Sequence, residues 1–217
     1  MVLNKDLGCF SDQEIGSIIT CISPIFIEHL TQYDERKYPP AEYEYLVKAF
    51  ASRSNVTRDD VRRALVWKWG HFGKKKIPLT HEALILRIQQ HWAHIVQKLS
   101  KSPSLESKRL FDLLRSIIGT YITSSFLLHL LRPKEVQVID QHNFRAMNYL
   151  LRGVRPKSRF KKRPSSYEDV ASLASFLNSL SSRWPEPAPS LTEFDRFLMS
   201  FGKSVKPRKQ RRRKRSV

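Results

Sequence analysis

The 217-residue chain predicts an all-α fold, and three observations carry that expectation. Helix-start signals recur: Ser11-x-x-Glu14, Ser165-x-x-Glu168 and Ser190-x-x-Glu193 have the spacing of a capping box, with Thr57-x-x-Asp60 a weaker version. Apolar residues then repeat at the three- and four-residue spacing of one helical face. Asn-Gly and Asp-Gly pairs do not occur and alternating apolar runs are short, so hairpin signals are missing.

The elements follow in order. Ile15, Ile18, Ile19 and Ile22 form one face after Ser11, and Tyr38-Pro39-Pro40 makes the first break. Val61, Ala64 and Leu65 continue the helix begun at Thr57, before a break over residues 71–78. Residues 83–96 place Leu84, Ile85, Ile88, Trp92 and Ile95 on one side; residues 105–117 do the same with Leu110, Leu113, Leu114 and Ile117. An apolar run over 122–131 ends at a turn containing Pro133, and another helical run covers 144–151. The basic stretch 153–164 reads as a mobile connector before a last helical pair, divided at residues 185–189. Phe194, Phe197 and Leu198 mark the final apolar face, beyond which there is almost nothing to bury.

Charge supplies the second constraint. Lys and Arg number 39 against 20 Asp and Glu, a formal net charge of +19. Eight basic residues lie in 206–215 and six in 155–163, with no acidic residue in either stretch. Such concentration is the electrostatic footprint of a polyanion binder, with a solubilising tail as the bland alternative. No run of about 18 apolar residues exists, so no membrane partner is expected. Met1-Val2-Leu3-Asn4-Lys5-Asp6 lacks the charged-then-apolar order of a secretory signal, so the expected location is cytoplasmic, or nucleoid-associated if bacterial. Cys9 and Cys21 are the only cysteines, and their spacing fits neither a zinc knuckle nor an iron–sulfur cluster.

The most informative stretch is Val138-Ile139-Asp140-Gln141-His142-Asn143-Phe144-Arg145-Ala146. It puts a carboxylate where an extended connector becomes a helix. Such an aspartate serves as an N-cap, worth about 1 kcal/mol; the same placement also holds a carboxylate ready for chemistry. The order helix, short loop, V/I-D-x-H-x-x-R, helix resembles the helix-hairpin-helix DNA glycosylases, endonuclease III and its relatives, in which that Asp is catalytic. Val66-Trp67-Lys68-Trp69-Gly70-His71 and the stretch from Glu193 to Lys203 look similar to segments of uncharacterised bacterial members. The resemblance covers roughly residues 55 to 203 and is most specific at 138–147.

The resemblance implies a two-lobed helical fold: a helix within residues 1–23 packing with the C-terminal lobe, a central lobe over 24–136, a C-terminal lobe over 137–203, and a disordered basic tail over 204–217. It implies a catalytic Asp140 facing a cleft between the lobes. Its phosphate-binding hairpin matches Ser116 to Ser124, where Gly119 stands alone instead of in a pair, so Gly119, Thr120 and Tyr121 form a degenerate version. Bifunctional members need a lysine on the helix after the hairpin to form a Schiff base. Ile122 or Tyr121 occupies that place here, so the expected activity is a monofunctional glycosylase hydrolysing the N-glycosidic bond of a damaged or modified base. The alternative is a non-catalytic DNA- or RNA-binding protein that keeps the fold. No cofactor is expected and no iron–sulfur cluster, with room for a monovalent cation at the hairpin.

The candidate contacts to DNA, or to RNA as the other polyanion, are His142 and Arg145 beside Asp140, with Arg159, Lys161, Lys162 and Arg163 in the connector. Arg211, Arg212 and Arg213 add to them in the tail. Trp67 and Trp69 are candidates for stacking on an everted base, against the commoner role of core packing. His91 and His94 have the spacing of one helical face, with His81 nearby, but no acidic partner completes a metal set. The chain is expected to act as a monomer.

Overall fold

The computed structural model describes residues 9–52, 55–101 and 105–205, with no strand among them. Helix α1 (Asp12–Ile22) and helix α2 (Phe26–Thr31) flank a 3-10 turn at Ser23–Ile25. Then come α3 (Pro40–Ala51), α4 (Arg58–Lys68), α5 (Leu79–Lys101), α6 (Ser107–Ile118) and α7 (Tyr121–Leu131). The chain closes with α8 (Gln141–Val154), α9 (Tyr167–Arg183) and α10 (Leu191–Ser204). No helix among the described residues is long and apolar enough to cross a membrane.

Local chemistry starts these helices. Ser11 with Glu14, Thr57 with Asp60 and Ser190 with Glu193 close reciprocal capping boxes on α1, α4 and α10. α9 begins one residue later than Ser165-x-x-Glu168 suggests. The buried Asp169 accepts from the backbone N–H of Ser165 at 2.7 Å and of Ser166 at 3.0 Å, while Glu168 turns outward to pair with Lys108 at 2.9 Å. An aspartate one position on wins because its short side chain reaches back to the turn. No capping signal precedes α3; Pro40 opens it, with a fixed φ suited to a first helical position.

Packing sorts the helices into two groups. α3 packs on α4 and α7, α5 on α4 and α6, and α6 on α7. α10 packs on α8, α2 and α9, and α1 packs on α8 and α9. Because α2 lies against α10, the N-terminal segment of this second group runs on through Thr31, past the expected boundary at residue 23. Large buried side chains fill both groups in one continuous core, among them Ile15, Phe50, Phe126, Phe144, Phe176 and Phe197. Each such side chain contributes about 1.5–3 kcal/mol by leaving water. The chain crosses between the groups twice, over residues 32–39 and 132–140.

The connector over 153–164, expected to be loose, is tied down. Arg155 reaches both carboxylate oxygens of Glu14, at 2.5 and 2.8 Å, and donates to the Cys9 carbonyl. Asn148 donates to the Lys161 carbonyl at 3.0 Å, and the Lys161 ammonium pairs with buried Asp169 at 2.9 Å. Phe160 packs against the core. Arg155 and Lys161 therefore serve the fold.

Candidate functional site

Two hollows open where the chain crosses between the helix groups. The larger has a volume of about 460 Å³ and is lined by Tyr38, Lys68, Trp69, the first residues of α7, Asp140, Gln141, His142, Arg163 and Met199. That size falls within the range of small-molecule pockets, roughly 300–1,000 Å³. The smaller, about 40 Å³, lies among Tyr33, Tyr38, Tyr43, Trp67, Val138, Asp195 and Arg196. It has room for a few waters. Tyr38 belongs to both walls.

Asp140 is the N-cap of α8, with extended backbone at φ −139°, ψ −178°. Its Oδ1 accepts from the N–H of His142 at 2.5 Å and of Asn143 at 3.0 Å. Asn143 completes the box: its Oδ1 accepts the Asp140 N–H at 2.8 Å. Its amide nitrogen donates to the Val138 carbonyl at 2.7 Å and to Asp195 Oδ1 at 2.8 Å. Both N–H donors of that buried side chain are engaged, and its oxygen accepts one hydrogen bond, which fixes the amide's orientation.

The electrostatics link three charged groups. Burial pushes the Asp195 carboxyl up to about 6; the Asn143 hydrogen bond opposes the rise, neighbouring Asp140 adds to it, and Lys68 and Arg196 pull the other way. Burial pushes the Lys68 amine below the ordinary lysine range, against the pull of Asp140 and Asp195. The Lys68 Nζ lies 3.5 Å from the Ile139 carbonyl and 5.3 Å from the centre of the Phe126 ring.

A buried histidine steers the connector toward Asp140. His129 Nδ1 lies 2.6 Å from the Val136 carbonyl, which can only accept, so this nitrogen carries the hydrogen. Nε2 then accepts from the Tyr43 hydroxyl at 2.6 Å. Desolvation holds this imidazole down at about 4, with the Val136 bond pulling the other way.

The α6–α7 turn bears on the larger hollow. Gly119 takes the left-handed conformation, φ 79°, that ends α6, and α7 begins two residues later with no side chain capping its first amides. Thr120, Tyr121 and Ile122 line the hollow, with Arg163 opposite in the connector. Tyr121 is buried and its hydroxyl donates to the Ser166 carbonyl at 2.8 Å. The turn does not fit a bound monovalent cation: the Ile118 and Gly119 carbonyls already accept from Arg87 and Arg115.

The other candidates separate. Trp69 lines the larger hollow, its ring 4.1 Å from that of His81. Trp67 does not: it is 7 % exposed, stacks on Tyr43 and Phe126, and donates from Nε1 to the Pro39 carbonyl. Its core role wins because the ring has almost no surface left for a base. His142 lines the hollow, whereas Arg145 reaches His142 Nδ1 and donates to the Gly202 carbonyl at 2.8 Å, holding α8 to α10. Arg159 and Lys162 are exposed in the connector, outside the lining of the hollow. His91 and His94 are exposed on α5, away from His81, which pairs with His71. Arg211, Arg212 and Arg213, with the rest of the tail from residue 206, lie outside the described residues.

Four residues of the site carried no assignment from sequence: Tyr38, Lys68, Asn143 and Asp195. Two had a visible signal. Lys68 interrupts a pair of tryptophans, and Asp195 interrupts the apolar face of Phe194, Phe197 and Leu198. Charges placed inside apolar stripes are costly to bury unless they meet partners.

Set against known protein families, curated proteins and solved structures, the chain matches none of them.

Proposed function

We propose that the protein binds DNA and hydrolyses the N-glycosidic bond of a damaged or modified base, acting as a monofunctional glycosylase on a two-lobed, helix-hairpin-helix-like fold. One observation carries the reading: the Asp140 carboxylate stands on the wall of a 460 Å³ hollow between two helix groups. The charge of +19 and the uncapped start of α7 facing that hollow support an anionic ligand.

The reaction breaks the C1′–N bond, whose electron pair leaves on the base. Positive charge develops on the sugar, and a water oxygen bonds to C1′ as it loses a proton. A fixed carboxylate helps by opposing that positive charge or by taking the proton. Asp140 commits Oδ1 to two backbone amides, while Oδ2 accepts no hydrogen bond among the described residues and is the oxygen available for this work. The commitment of Oδ1 also favours a second reading, in which Asp140 is a cap alone and the protein binds DNA or RNA without chemistry.

The test is base excision on a panel of damaged duplexes with wild type and Asp140→Asn. Asparagine keeps the shape and the cap but loses the charge. Excision should fall by a factor on the order of 10² to 10³, as when one stabilising group of an active site is lost, while duplex binding stays nearly unchanged. Undiminished turnover in the variant would assign the chemistry elsewhere, and no turnover by wild type on any lesion would favour the binding reading.

A further inference from the structure

The smaller hollow, about 40 Å³, is walled by aromatic rings in one chain of contacts. Between ring centres, Tyr33 and Tyr38 lie 5.9 Å apart, Tyr38 and Trp67 5.6 Å, and Trp67 and Tyr43 5.3 Å. Two of the four rings are pinned at an edge. Trp67 donates from Nε1 to the Pro39 carbonyl at 3.0 Å, and the Tyr43 hydroxyl donates to His129 at 2.6 Å. The wall is therefore built before any ligand arrives, which spares the cost of ordering it. Thr192, an exposed residue, also lines the hollow, so it reaches the surface. Its size excludes a nucleotide, unlike that of the larger hollow on the other side of Tyr38.

Charge enters from α10. Asp195 lines the hollow, and among the described residues its hydrogen-bond partner is Asn143, at 2.8 Å, with no direct ion pair. Its neighbour Arg196 is already matched, to Glu35 at 3.1 Å, and its guanidinium lies 5.2 Å from the centre of the Tyr33 ring. The Lys37 ammonium sits 5.6 Å from the centre of the Tyr38 ring. These rings thus already face cations of the chain itself. With Arg196 offset by Glu35, Asp195 brings one negative charge to the hollow without a counter-charge in contact. A carboxylate taken out of water favours an ion of opposite sign beside it, and burial holds this one up at about 6.

We propose that Tyr33, Tyr38, Tyr43 and Trp67 form a cage for a methylated ammonium group, with Asp195 as its counter-charge. The negative faces of the rings attract a cation, and methyl groups let that cation shed water and pack against them. A plain ammonium or a metal ion holds its water more tightly, and aromatic carbons with one carboxylate replace that shell poorly. Space for a few waters matches the bulk of such a head group. The head can belong to a free solute such as choline or to a trimethylated lysine in a peptide; the chemistry recognised is the same.

The experiment titrates the full-length protein by calorimetry at constant ionic strength with choline and with 3,3-dimethyl-1-butanol, which keeps the shape and lacks the charge. Choline should bind saturably and about tenfold or more tighter than the neutral analogue, because cation–π attraction supplies the difference. Tyr38→Phe keeps the ring and should bind within about twofold of wild type, whereas Tyr38→Leu should lose about tenfold. Asp195→Asn keeps the shape without the charge and should also lose about tenfold, with a thermal melt to show that it is folded. A trimethyllysine peptide, set beside its unmethylated form, identifies the source. Tighter binding than choline assigns the head to a protein side chain, and weaker binding assigns it to a free solute. Equal affinity for choline and its neutral analogue would overturn the cage, as would no saturable binding of choline or the methylated peptide. Unchanged affinity in folded Asp195→Asn would overturn the counter-charge. None of these measurements uses DNA, so their failure is distinct from failure of base excision.

Discussion

Asp195 accepts a hydrogen bond from Asn143 at 2.8 Å, and the same Asn143 side chain accepts the N–H of Asp140 at 2.8 Å. One amide therefore joins a carboxyl on α10 to the turn that carries the candidate catalytic carboxylate on α8. The amide cannot flip without losing bonds on both sides, because carbonyl and carboxylate oxygens do not donate. Asp195 thus acts on Asp140 through position, and through the field of a second negative charge.

That charge gives stability a distinctive pH dependence. Asp195 titrates near 6 in the folded protein against 3.8 unfolded, so its contribution is present below 3.8 and lost as the pH rises through 6. His129 does the reverse: its folded value near 4 lies below 6.5, so its contribution is full above 6.5 and lost as the pH falls toward 4. Each is worth roughly 3 kcal/mol over its window, and between pH 4.5 and 6 the two slopes oppose. The carboxylates held low by ion pairs, Glu14 and Glu168, act below that range. Asp195→Asn should therefore melt higher than wild type at pH 7 and converge with it toward pH 4.5, uncovering the acid loss that belongs to His129. Thermal melts across pH 4.5 to 7.5 measure this. Parallel curves would show that Asp195 is not desolvated.

Gly202 marks the tightest approach of α10 to α8. A Cβ there would stand 2.0 Å from the His142 carbonyl oxygen and 2.6 Å from its carbon, both backbone atoms that cannot swing aside. Gly202→Ala must push the first turn of α8, at a cost of about 1–3 kcal/mol typical of overpacking. Since His142 lies two residues from Asp140, activity should fall further than stability explains, by about 10²-fold for a displacement near 1 Å. Denaturant melts set against excision rates separate the two effects. A fully active, fully stable variant would mean that the helices separate freely.

Much of this arrangement could be read from the chain. Capping residues are local, so Ser11, Thr57, Ser190 and Asp140 announced their helices within three residues. α9 was misplaced by one because two serines and two acids stand in register, and only burial of Asp169 chooses between them. Lys68 and Asp195 lie far apart in sequence, and no spacing rule says that both approach Asp140. The tethering of Lys161 was equally hidden: a basic run looks uniform until one member meets a buried carboxylate.

Lys68 makes the lyase question an experimental one. The position after the hairpin holds no amine, yet Lys68 reaches the hollow from α4 with its amine below the ordinary lysine range. In the monofunctional reading it is a fixed charge between Asp140 and Asp195, and borohydride should trap no covalent DNA adduct. Lys68→Met should then weaken catalysis by leaving two carboxylates uncompensated. A trapped adduct with wild type, absent in Lys68→Met, would make Lys68 a nucleophile and overturn the monofunctional assignment.

The basic tail should supply affinity without base preference. Residues 206–217 hold eight positive charges, no acidic residue and, besides Pro207, one apolar side chain, Val217. On B-DNA each phosphate contact adds about 0.9 to the magnitude of the slope of log K against log salt. Some tail charges stay solvated in any complex, so deletion after Val205 should reduce that magnitude by roughly 3 to 5 rather than by the full complement. Discrimination between damaged and intact sites should barely change, because phosphate contacts carry no base information. Binding of full-length and truncated protein across a salt series is the measurement. Equal slopes would assign the tail to another partner, whereas a reduced slope with lost discrimination would mean that the tail contacts bases.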